Sequence, residues 1–360
     1  MSLQTPPSLT PSSGAQSFAA AWDAILGIRQ ATTVHHRTVK PATEVPLVII
    51  SGFLGSGKTT LLNSLLAQDH GRRVAVLVND FGAIDIDGGL VQSRGSRSIS
   101  LRNGCVCCSV ATGMIGVLSD LVTSNDPPDV ILLENSGIAE PHPVVQTALT
   151  IPGVRLSAVV TVVDVEALGR PSTAYIRNLI LRQASAADII VANKVDLVDD
   201  RTLHAMRSWL QSVAPRARRV ETQHSHVPAS LIIGHIGAPI ASETQSPIDA
   251  TEHADKFDTF VLSEAARLDH AQLCRFAGDL PDAVLRVKGR VSYVTPSGDQ
   301  DGVLHVVGPR WHIEPCQLDG AERSELVVIA QAGAVDEADL RQAFAACAYD
   351  RTSSMQRRLE

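Results

Sequence analysis

Residues 47–60 read LVIISGFLGSGKTT, an apolar run followed at once by a glycine-rich loop that ends in a lysine and two threonines. Glycines at 52, 55 and 57 let a backbone curl without Cβ clashes, so that successive amide groups can point inward at a phosphate. A helical pattern over residues 60–66 follows, and the amino end of a helix adds partial positive charge. Strand, loop and helix in this order predict a phosphate-binding loop that begins an α/β domain.

The polar positions of this loop suit a nucleotide and Mg²⁺. Lys58 can reach the terminal phosphates, and the Thr59 hydroxyl is a hard oxygen ligand of the kind that Mg²⁺ prefers. The residues that we expect to contact the nucleotide here are Gly52, Gly55, Ser56, Gly57, Lys58, Thr59 and Thr60.

Beyond the loop, short aliphatic runs alternate with helical patterns as far as residue 220. This alternation predicts a doubly wound, mostly parallel sheet, whose binding loops gather at the carboxyl ends of the strands. The predicted strands are 47–51, 74–78, 130–133, 158–163 and 189–192.

The composition along the chain predicts further segments. Residues 1–44 are rich in Ser, Thr, Pro and Gln and are expected to be a flexible extension with one short helix at 18–28. The phosphate-loop domain is placed at 45–220, a polar linker at 221–256, a smaller α+β domain at 257–350 and a tail at 351–360. Strands of the second domain are predicted at 257–262, 283–288, 291–295, 303–307 and 326–330, with helices at 269–277 and 336–346.

Charge and hydropathy exclude several partners. The formal net charge is −7 and the basic residues are scattered, whereas a nucleic-acid binder carries a basic stripe. No apolar run approaches the roughly 20 residues that cross a bilayer, and no secretory signal is visible, so we expect a cytoplasmic protein without a membrane partner. An organelle transit peptide is the alternative for the extension.

A second motif, Asn193-Lys194-Val195-Asp196, follows the predicted strand at 189–192. Guanine presents its N1–H and N2–H₂ donors together, and the Asp196 carboxylate can accept both. We expect Asn193 to brace the loop and Lys194 to lie along the base. The motif is ordinary in turns, but after a phosphate loop and a strand it predicts GTP as the ligand.

The predicted strand at 130–133 runs into Glu134-Asn135-Ser136-Gly137. Glu134 stands where an acid can act on Mg²⁺ through water, and Gly137 can give its amide to the γ-phosphate and move when that phosphate leaves. A plain strand-end turn is the alternative. Lys58, Glu134 and Gly137 are thus the candidate catalytic residues.

Carboxylates also follow the predicted strand at 74–78, at Asp80, Asp85 and Asp87. They suit Mg²⁺, a second metal or simply solvent. We assign Asp87, together with Thr59, to Mg²⁺.

Three thiols are packed into residues 103–108, which read NGCVCC. In extended backbone Cys105 and Cys107 share a face, and a turn brings in Cys108, so three thiolates can converge on one soft cation. One coordination position stays open for exchange, and Zn²⁺ or Co²⁺ fits. The alternatives are buried small hydrophobic residues or a redox pair.

The phosphate loop, Asn-Asp-Phe-Gly at 79–82, the thiol motif, Glu-Asn-Ser-Gly and Asn-Lys-Val-Asp occur in that order. With this ordered set the chain resembles the CobW-type family of metal-handling P-loop GTPases, of the CobW/HypB/UreG class, over residues 46–350. The resemblance implies slow GTP hydrolysis coupled to metal delivery to a client enzyme, with zinc or cobalt at Cys105, Cys107 and Cys108. Asp80 and Ala83 stand where the family commonly has glutamates, and the linker lacks a dense histidine run.

We therefore expect a GTPase metallochaperone in which nucleotide state and metal affinity bias one another. Its partner is the apo-form of a client metalloenzyme, and a homodimer is possible. No arginine finger is evident, so a dimer partner or the client would have to supply activation. Two other hypotheses stay open: a metal- and nucleotide-binding module with little hydrolysis, and a client-specific activator of a cobalt or iron enzyme such as nitrile hydratase.

Overall fold

The computed structural model describes residues 44–78, 97–100, 108–170, 172–234, 256–316 and 323–349, and of residues 97–100 and 108–112 it describes only the backbone. The helix predicted at 18–28, most of the extension, residues 235–255 of the linker and the tail lie outside this part of the chain.

A seven-stranded sheet forms the first half of the described chain, and every neighbouring pair in it is parallel. Three of its strands are buried along their whole length, as aliphatic strands covered by helices on both faces are. The order is β3-β2-β4-β1-β5-β6-β7, so the strand before the phosphate loop lies at the point where the winding reverses. The predicted fold class is confirmed. The strands are β1 (Val45–Ser51), β2 (Val74–Val78), β3 (Arg97–Ser100), β4 (Val130–Glu134), β5 (Val154–Asp164), β6 (Ile189–Asn193) and β7 (Arg218–Thr222).

Helices connect these strands, and polar side chains fix where several of them begin. The side chains of Asp164, Thr173 and Asp199 each accept a hydrogen bond from a backbone amide of the first turn. The helices are α1 (Lys58–Ala67), α2 (Cys108–Thr123), α3 (Pro141–Leu149), α4 (Val165–Leu168), α5 (Ala174–Ser185), α6 (Asp200–Val213) and α7 (Ala229–Ile232).

The direction of α2 follows from the strand that it precedes. The chain leaves α2 at Thr123 and enters β4 at its amino end, where the Asp129 amide donates to the Arg73 carbonyl oxygen just before β2. A helix of 16 residues is about 24 Å long. The backbone of Cys108, the first residue of α2, therefore lies toward the carboxyl edge of the sheet, where Ser100 ends β3.

Residues 221–234 are part of the first core. Val227 and Ile232 are buried in the same hydrophobic cluster as Val48 and Val160 of the parallel sheet. The polar composition of 221–256 hid this, because the apolar residues of the segment follow no sustained period. The linker interpretation remains a prediction for residues 235–255 alone.

The second half of the described chain is an antiparallel sheet of order β12-β11-β10-β13-β8, with the two-residue β9 pairing parallel to β10. Two helices cover one face, and the rings of Phe276 and Phe344 meet there at 5.4 Å between centroids. This confirms the predicted α+β domain. Its elements are β8 (Phe257–Glu264), β9 (Leu268–Asp269), α8 (His270–Gly278), β10 (Val284–Thr295), β11 (Gly298–Val307), β12 (Arg310–Pro315), β13 (Ser324–Gln331) and α9 (Glu337–Ala345).

The prediction of two separate strands at 283–288 and 291–295 is wrong, because β10 runs through Gly289 without a break. A Cβ at Gly289 would lie 1.9 Å from the Glu325 carbonyl oxygen of β13. Glycine here permits the close approach of two strands, so the two predicted strands are one continuous strand.

The two sheets meet at the amino ends of the parallel strands. The Arg310 guanidinium on β12 lies 2.5 Å from the Asp188 carboxylate just before β6, and Arg286 donates to the carbonyl oxygens of Leu231 and Ile232 in α7. Burial raises the pKa of the Asp188 carboxyl, although Arg310 favours its charged form. The phosphate loop lies at the opposite, carboxyl ends of the parallel strands.

None of the helices in the described part of the chain is long and apolar enough to cross a membrane.

Candidate functional site

The phosphate loop follows β1 and has left-handed backbone at Gly52, Gly55 and Gly57. A Cβ at Gly57 would lie 2.4 Å from the Ser225 hydroxyl and 2.5 Å from the Asn193 amide nitrogen. Residue 57 must therefore be glycine both for its φ of 109° and for the space around it.

The loop borders a cavity of about 280 Å³ at the carboxyl ends of the parallel strands. Its walls are formed by the phosphate loop and α1 on one side and by residues 134–137 on the other. The Lys58 ammonium donates to the Phe53 carbonyl oxygen at 3.3 Å, which holds the lysine over the loop. The volume is near the lower end of the range for small-molecule sites.

The predicted Mg²⁺ ligand Thr59 and the predicted acid Glu134 are brought together. The Thr59 hydroxyl donates to the Glu134 carboxylate, with oxygen separations of 2.9 and 3.2 Å to its two oxygens. Glu134 ends β4 and is 5% exposed. A buried carboxylate beside a hydroxyl at the start of a phosphate-binding helix is a set of hard oxygen donors, and it fits Mg²⁺.

The turn after β4 packs on the phosphate loop. A Cβ at Gly137 would lie 2.8 Å from the Leu54 backbone nitrogen, so only glycine lets the two loops approach. The buried Gln183 amide of α5 donates to the carbonyl oxygens of Gly137 and Ala139 and holds this turn in place. The Asn135 amide is buried in the cavity wall, and neither of its polar atoms has a partner among the described residues.

The loop after β6 is tied to the phosphate loop through Asn193. The Asn193 amide nitrogen donates to the Ser56 carbonyl oxygen at 2.9 Å, and its side-chain oxygen accepts from the Ser225 amide at 2.8 Å. Lys194 has left-handed backbone, and its ammonium lies 2.5 Å from the Asp164 carboxylate. Asp196 is exposed on the single 3₁₀ turn that follows.

Three positioning residues were missed by sequence reasoning. Asp164 uses one oxygen to cap α4 and the other to hold Lys194, Gln183 holds the turn at 137–139, and Ser225 supports Asn193. His224 and Ser225 both have positive φ, a strained conformation for residues other than glycine that the surrounding contacts must maintain. The one signal in the sequence was that Asp164 directly follows the strand predicted at 158–163.

Several predicted site residues cannot be placed. Asp80, Asp85 and Asp87 lie outside the described residues, and so do Cys105 and Cys107. Cys108 is described only as the backbone that begins α2.

The described site therefore holds a glycine cradle with a lysine, a hydroxyl and carboxylate pair for a hard divalent cation, and a neighbouring loop that ends in an exposed carboxylate. Together with a parallel sheet in which β1 lies between β4 and β5, these features define a P-loop nucleotide-binding protein.

Comparison with known proteins gives the family. Residues 46–221 match the CobW/HypB/UreG nucleotide-binding domain, and residues 257–348 match the C-terminal domain of the cobalamin synthesis protein cobW. The chain belongs to the CobW/HypB/UreG family of P-loop GTPases, and the resemblance read from its motifs is confirmed.

Two relatives illustrate the range of the family. The zinc chaperone CobW of a Sinorhizobium species is 30% identical over 346 residues, which cover 84% of this chain and 97% of the relative. The zinc-regulated GTPase metalloprotein activator 1 of Dictyostelium discoideum is 28% identical over 241 residues, 56% of this chain and 50% of the relative. Among solved structures, Zn(II)-bound YjiA GTPase from E. coli matches with a TM-score of 0.40 and 21% identity, covering 85% of this chain and 99% of that one.

Proposed function

We propose that this protein hydrolyses GTP and uses its nucleotide state to control the delivery of Zn²⁺ to the apo-form of a client metalloenzyme. The observation that carries the proposal is the contact between Thr59 and Glu134 beside the glycine cradle, in a chain of the CobW/HypB/UreG family. This arrangement brings the hydroxyl of the phosphate loop to a buried acid from a strand 75 residues away in the sequence.

The chemistry of the nucleotide site follows from these groups. Mg²⁺, when bound, neutralises charge on the β- and γ-phosphates, and Thr59 and Glu134 would hold it, with Asp87 as a further ligand. Lys58 binds the terminal phosphates. Gly137 gives its backbone amide to the γ-phosphate, and its contact with Leu54 connects the turn to the phosphate loop. Loss of that phosphate would release the turn.

Guanine recognition rests on the loop after β6. Asp196 is exposed and can accept the two donors that distinguish guanine from adenine. The ion pair with Asp164 orients Lys194, and the two hydrogen bonds of Asn193 fix the loop relative to the phosphates. A rigid link between base and phosphate loops supports selection of one nucleotide.

The metal would bind at Cys105, Cys107 and Cys108, with Zn²⁺ as the first choice and Co²⁺ as the competitor. Support comes from the backbone on either side of the thiol motif, because Ser100 ends β3 and Cys108 begins α2 at the edge of the sheet that carries the phosphate loop. The zinc chaperone name of the Sinorhizobium relative agrees with this choice. Proximity to the nucleotide edge would let metal and nucleotide influence one another, and such coupling must be reciprocal.

The client would approach the same edge, because the C-terminal sheet leaves it uncovered and docks at the amino ends of the strands. Activation of a slow intrinsic hydrolysis would come from that client or from a second copy of the chain.

Phosphate release from GTP, measured with the full chain and Mg²⁺, tests the enzymatic part. Lys58→Ala should lower the rate by roughly 10²-fold, as loss of one preorganised charge contact does, while the exposed control Lys256→Ala should not. If the wild-type protein binds GTP and releases no phosphate, the chain is a binding module and the hydrolytic proposal fails.

Equilibrium titration with Zn²⁺, in the presence and absence of a non-hydrolysable GTP analogue, tests the coupling. The analogue should change the Zn²⁺ affinity at least fivefold, and Zn²⁺ should change the affinity for the analogue by the same factor. Cys107→Ser should abolish both effects. Unchanged titrations in that variant would eliminate the thiol motif as the coupled site.

A further inference from the structure

A row of polar side chains crosses the C-terminal sheet on the face turned toward the parallel sheet. In this row Lys288 of β10 pairs with His305 of β11, and His305 pairs with His312 of β12. The orientation of this face follows from Arg286, two residues before Lys288, which donates to carbonyl oxygens of α7. Val307, two residues after His305, lies in the core of the parallel sheet.

The two imidazole rings of this row are stacked, with centroids 4.6 Å apart and planes 5° from parallel. Glu314, two residues after His312 on the same face, brings a carboxylate oxygen to 3.4 Å from His305 Nε2. This separation is too long for a strong hydrogen bond. The Nε2 atoms of both histidines are buried, and neither makes a hydrogen bond of good geometry within the described chain, although the Glu314 carboxylate lies close enough to His305 to interact electrostatically.

We propose that His305, His312 and Glu314 bind a transition-metal dication at a site separate from the thiol motif, and that Zn²⁺ is the preferred ion. Each residue offers one ligand atom, and these atoms all lie within 4.8 Å of one another. Tetrahedral zinc with bonds of about 2.0–2.1 Å requires ligand atoms about 3.4 Å apart. Side-chain rotations that tilt the two rings and bring the ligand atoms closer by up to about 1.4 Å would complete the site.

The protonation state of the site favours coordination. Burial lowers the pKa of His305 to about 4 and that of His312 to about 2, so both rings are neutral at neutral pH and keep a lone pair for the metal. Two imidazoles and one carboxylate are a donor set found in open zinc sites, in which the fourth position is left for water or an exchanging ligand.

The surroundings select among cations. The Arg155 guanidinium, from the start of β5, and Lys288 both oppose positive charge here, and Glu314 supplies the compensating negative charge. Purely ionic binding is therefore weak, and coordinate bonds to nitrogen must hold the ion. This favours Zn²⁺ or Co²⁺ over the hard cations Mg²⁺ and Ca²⁺.

The position of the site is at the junction of the two sheets, since Arg155 belongs to the parallel sheet and the three ligands to the antiparallel one. Binding here requires neither GTP hydrolysis nor the thiol motif, so the outcome of its test is separate from that of the proposed function.

The test uses the full chain with Cys105, Cys107 and Cys108 all replaced by serine. Co²⁺ is added to the metal-free protein and followed by visible absorption and by X-ray absorption spectroscopy. We expect one equivalent of Co²⁺ with nitrogen and oxygen neighbours and without thiolate charge-transfer bands. His312→Gln and, independently, Glu314→Gln should each weaken binding at least tenfold, whereas His204→Gln, an exposed histidine of α6, should not.

Thermal unfolding of each variant without metal checks that it is folded. Glu314 is partly exposed, so Glu314→Gln should stay folded. It therefore tests the proposal even if His312→Gln unfolds. Three outcomes would overturn the proposal. The triple serine variant could bind no Co²⁺, or its spectrum could show sulfur neighbours. The folded Glu314→Gln and His204→Gln variants could also bind Co²⁺ with equal affinity.

Discussion

Replacing Asn193 with alanine removes a side chain that bridges the phosphate loop and the loops after β6 and β7. Asn193 is 3% exposed, and its two hydrogen bonds, of 2.9 and 2.8 Å, satisfy the Ser56 carbonyl oxygen and the Ser225 amide. Each buried backbone group left without a partner costs about 1–3 kcal/mol. We therefore expect Asn193→Ala to lower the free energy of unfolding by about 3 kcal/mol, a factor of roughly 150 in the equilibrium constant.

The matched control is Asn135→Ala. Asn135 is equally buried, but its amide has no partner among the described residues, so its removal relieves an unpaired polar group and should change the free energy of unfolding by less than about 1 kcal/mol. Urea unfolding of the nucleotide-free proteins, followed by circular dichroism, measures both values. Equal midpoints for the two variants would refute the assignment of Asn193 as the brace of the site.

Other substitutions and conditions test further parts of the structure. Gly57→Ala introduces a Cβ within 2.5 Å of neighbouring side chains, whereas the Cβ of Gly55→Ala meets nothing within 4 Å. The Gly57 variant should therefore weaken binding of a fluorescent GTP analogue at least tenfold more than the Gly55 variant. Equal losses would mean that backbone strain alone matters. Arg310→Met leaves the buried Asp188 carboxylate without its counter-charge, with only the Val159 amide as a partner within the described ranges, and should lower the free energy of unfolding by about 3–5 kcal/mol. Arg341→Met breaks an exposed ion pair and should lower it by less than about 1 kcal/mol. Similar values for the two variants in urea unfolding would remove the sheet junction as a source of stability. Burial lowers the pKa of His312, so on acidification of the metal-free protein the unfolded state binds a proton at this residue before the folded state does. The free energy of unfolding should therefore fall by about 1.4 kcal/mol per pH unit below about pH 6.5. His312→Gln should flatten this slope, and an unchanged slope would contradict the lowered pKa.

The local part of the site was predictable because its signals are close together in the sequence. The phosphate loop depends on glycine, lysine and threonine at fixed spacing, and Glu134 and Asn193 each end an aliphatic run that could be read as a strand. In a parallel sheet the carboxyl ends of the strands meet at one edge, so strand assignment alone brought these residues together. The Asn193 side chain contacts both the phosphate loop and Ser225, as a brace would, and its role in nucleotide binding stays a prediction.

The remaining contacts depend on pairings that no local pattern encodes. Ser225 is 32 residues from Asn193, and Gln183 is 46 residues from Gly137, and serine and glutamine are ordinary surface residues elsewhere. The short strand Arg97–Ser100 carries little hydrophobic signal, because only one of its four residues is a large apolar one. The histidines of β11 and β12 come together only through the register of two strands.

Strand β6 has anchors of opposite kinds at its two ends. Asp188, just before it, holds Arg310 of the C-terminal sheet, and Asn193, its last residue, holds the phosphate and base loops. Five extended residues span about 16 Å, and hydrogen bonds to strands on both sides make such a segment stiff. A tilt of the C-terminal sheet about Arg310 would thus displace the nucleotide loops, because β6 connects the amino and carboxyl edges of the parallel sheet as one stiff segment.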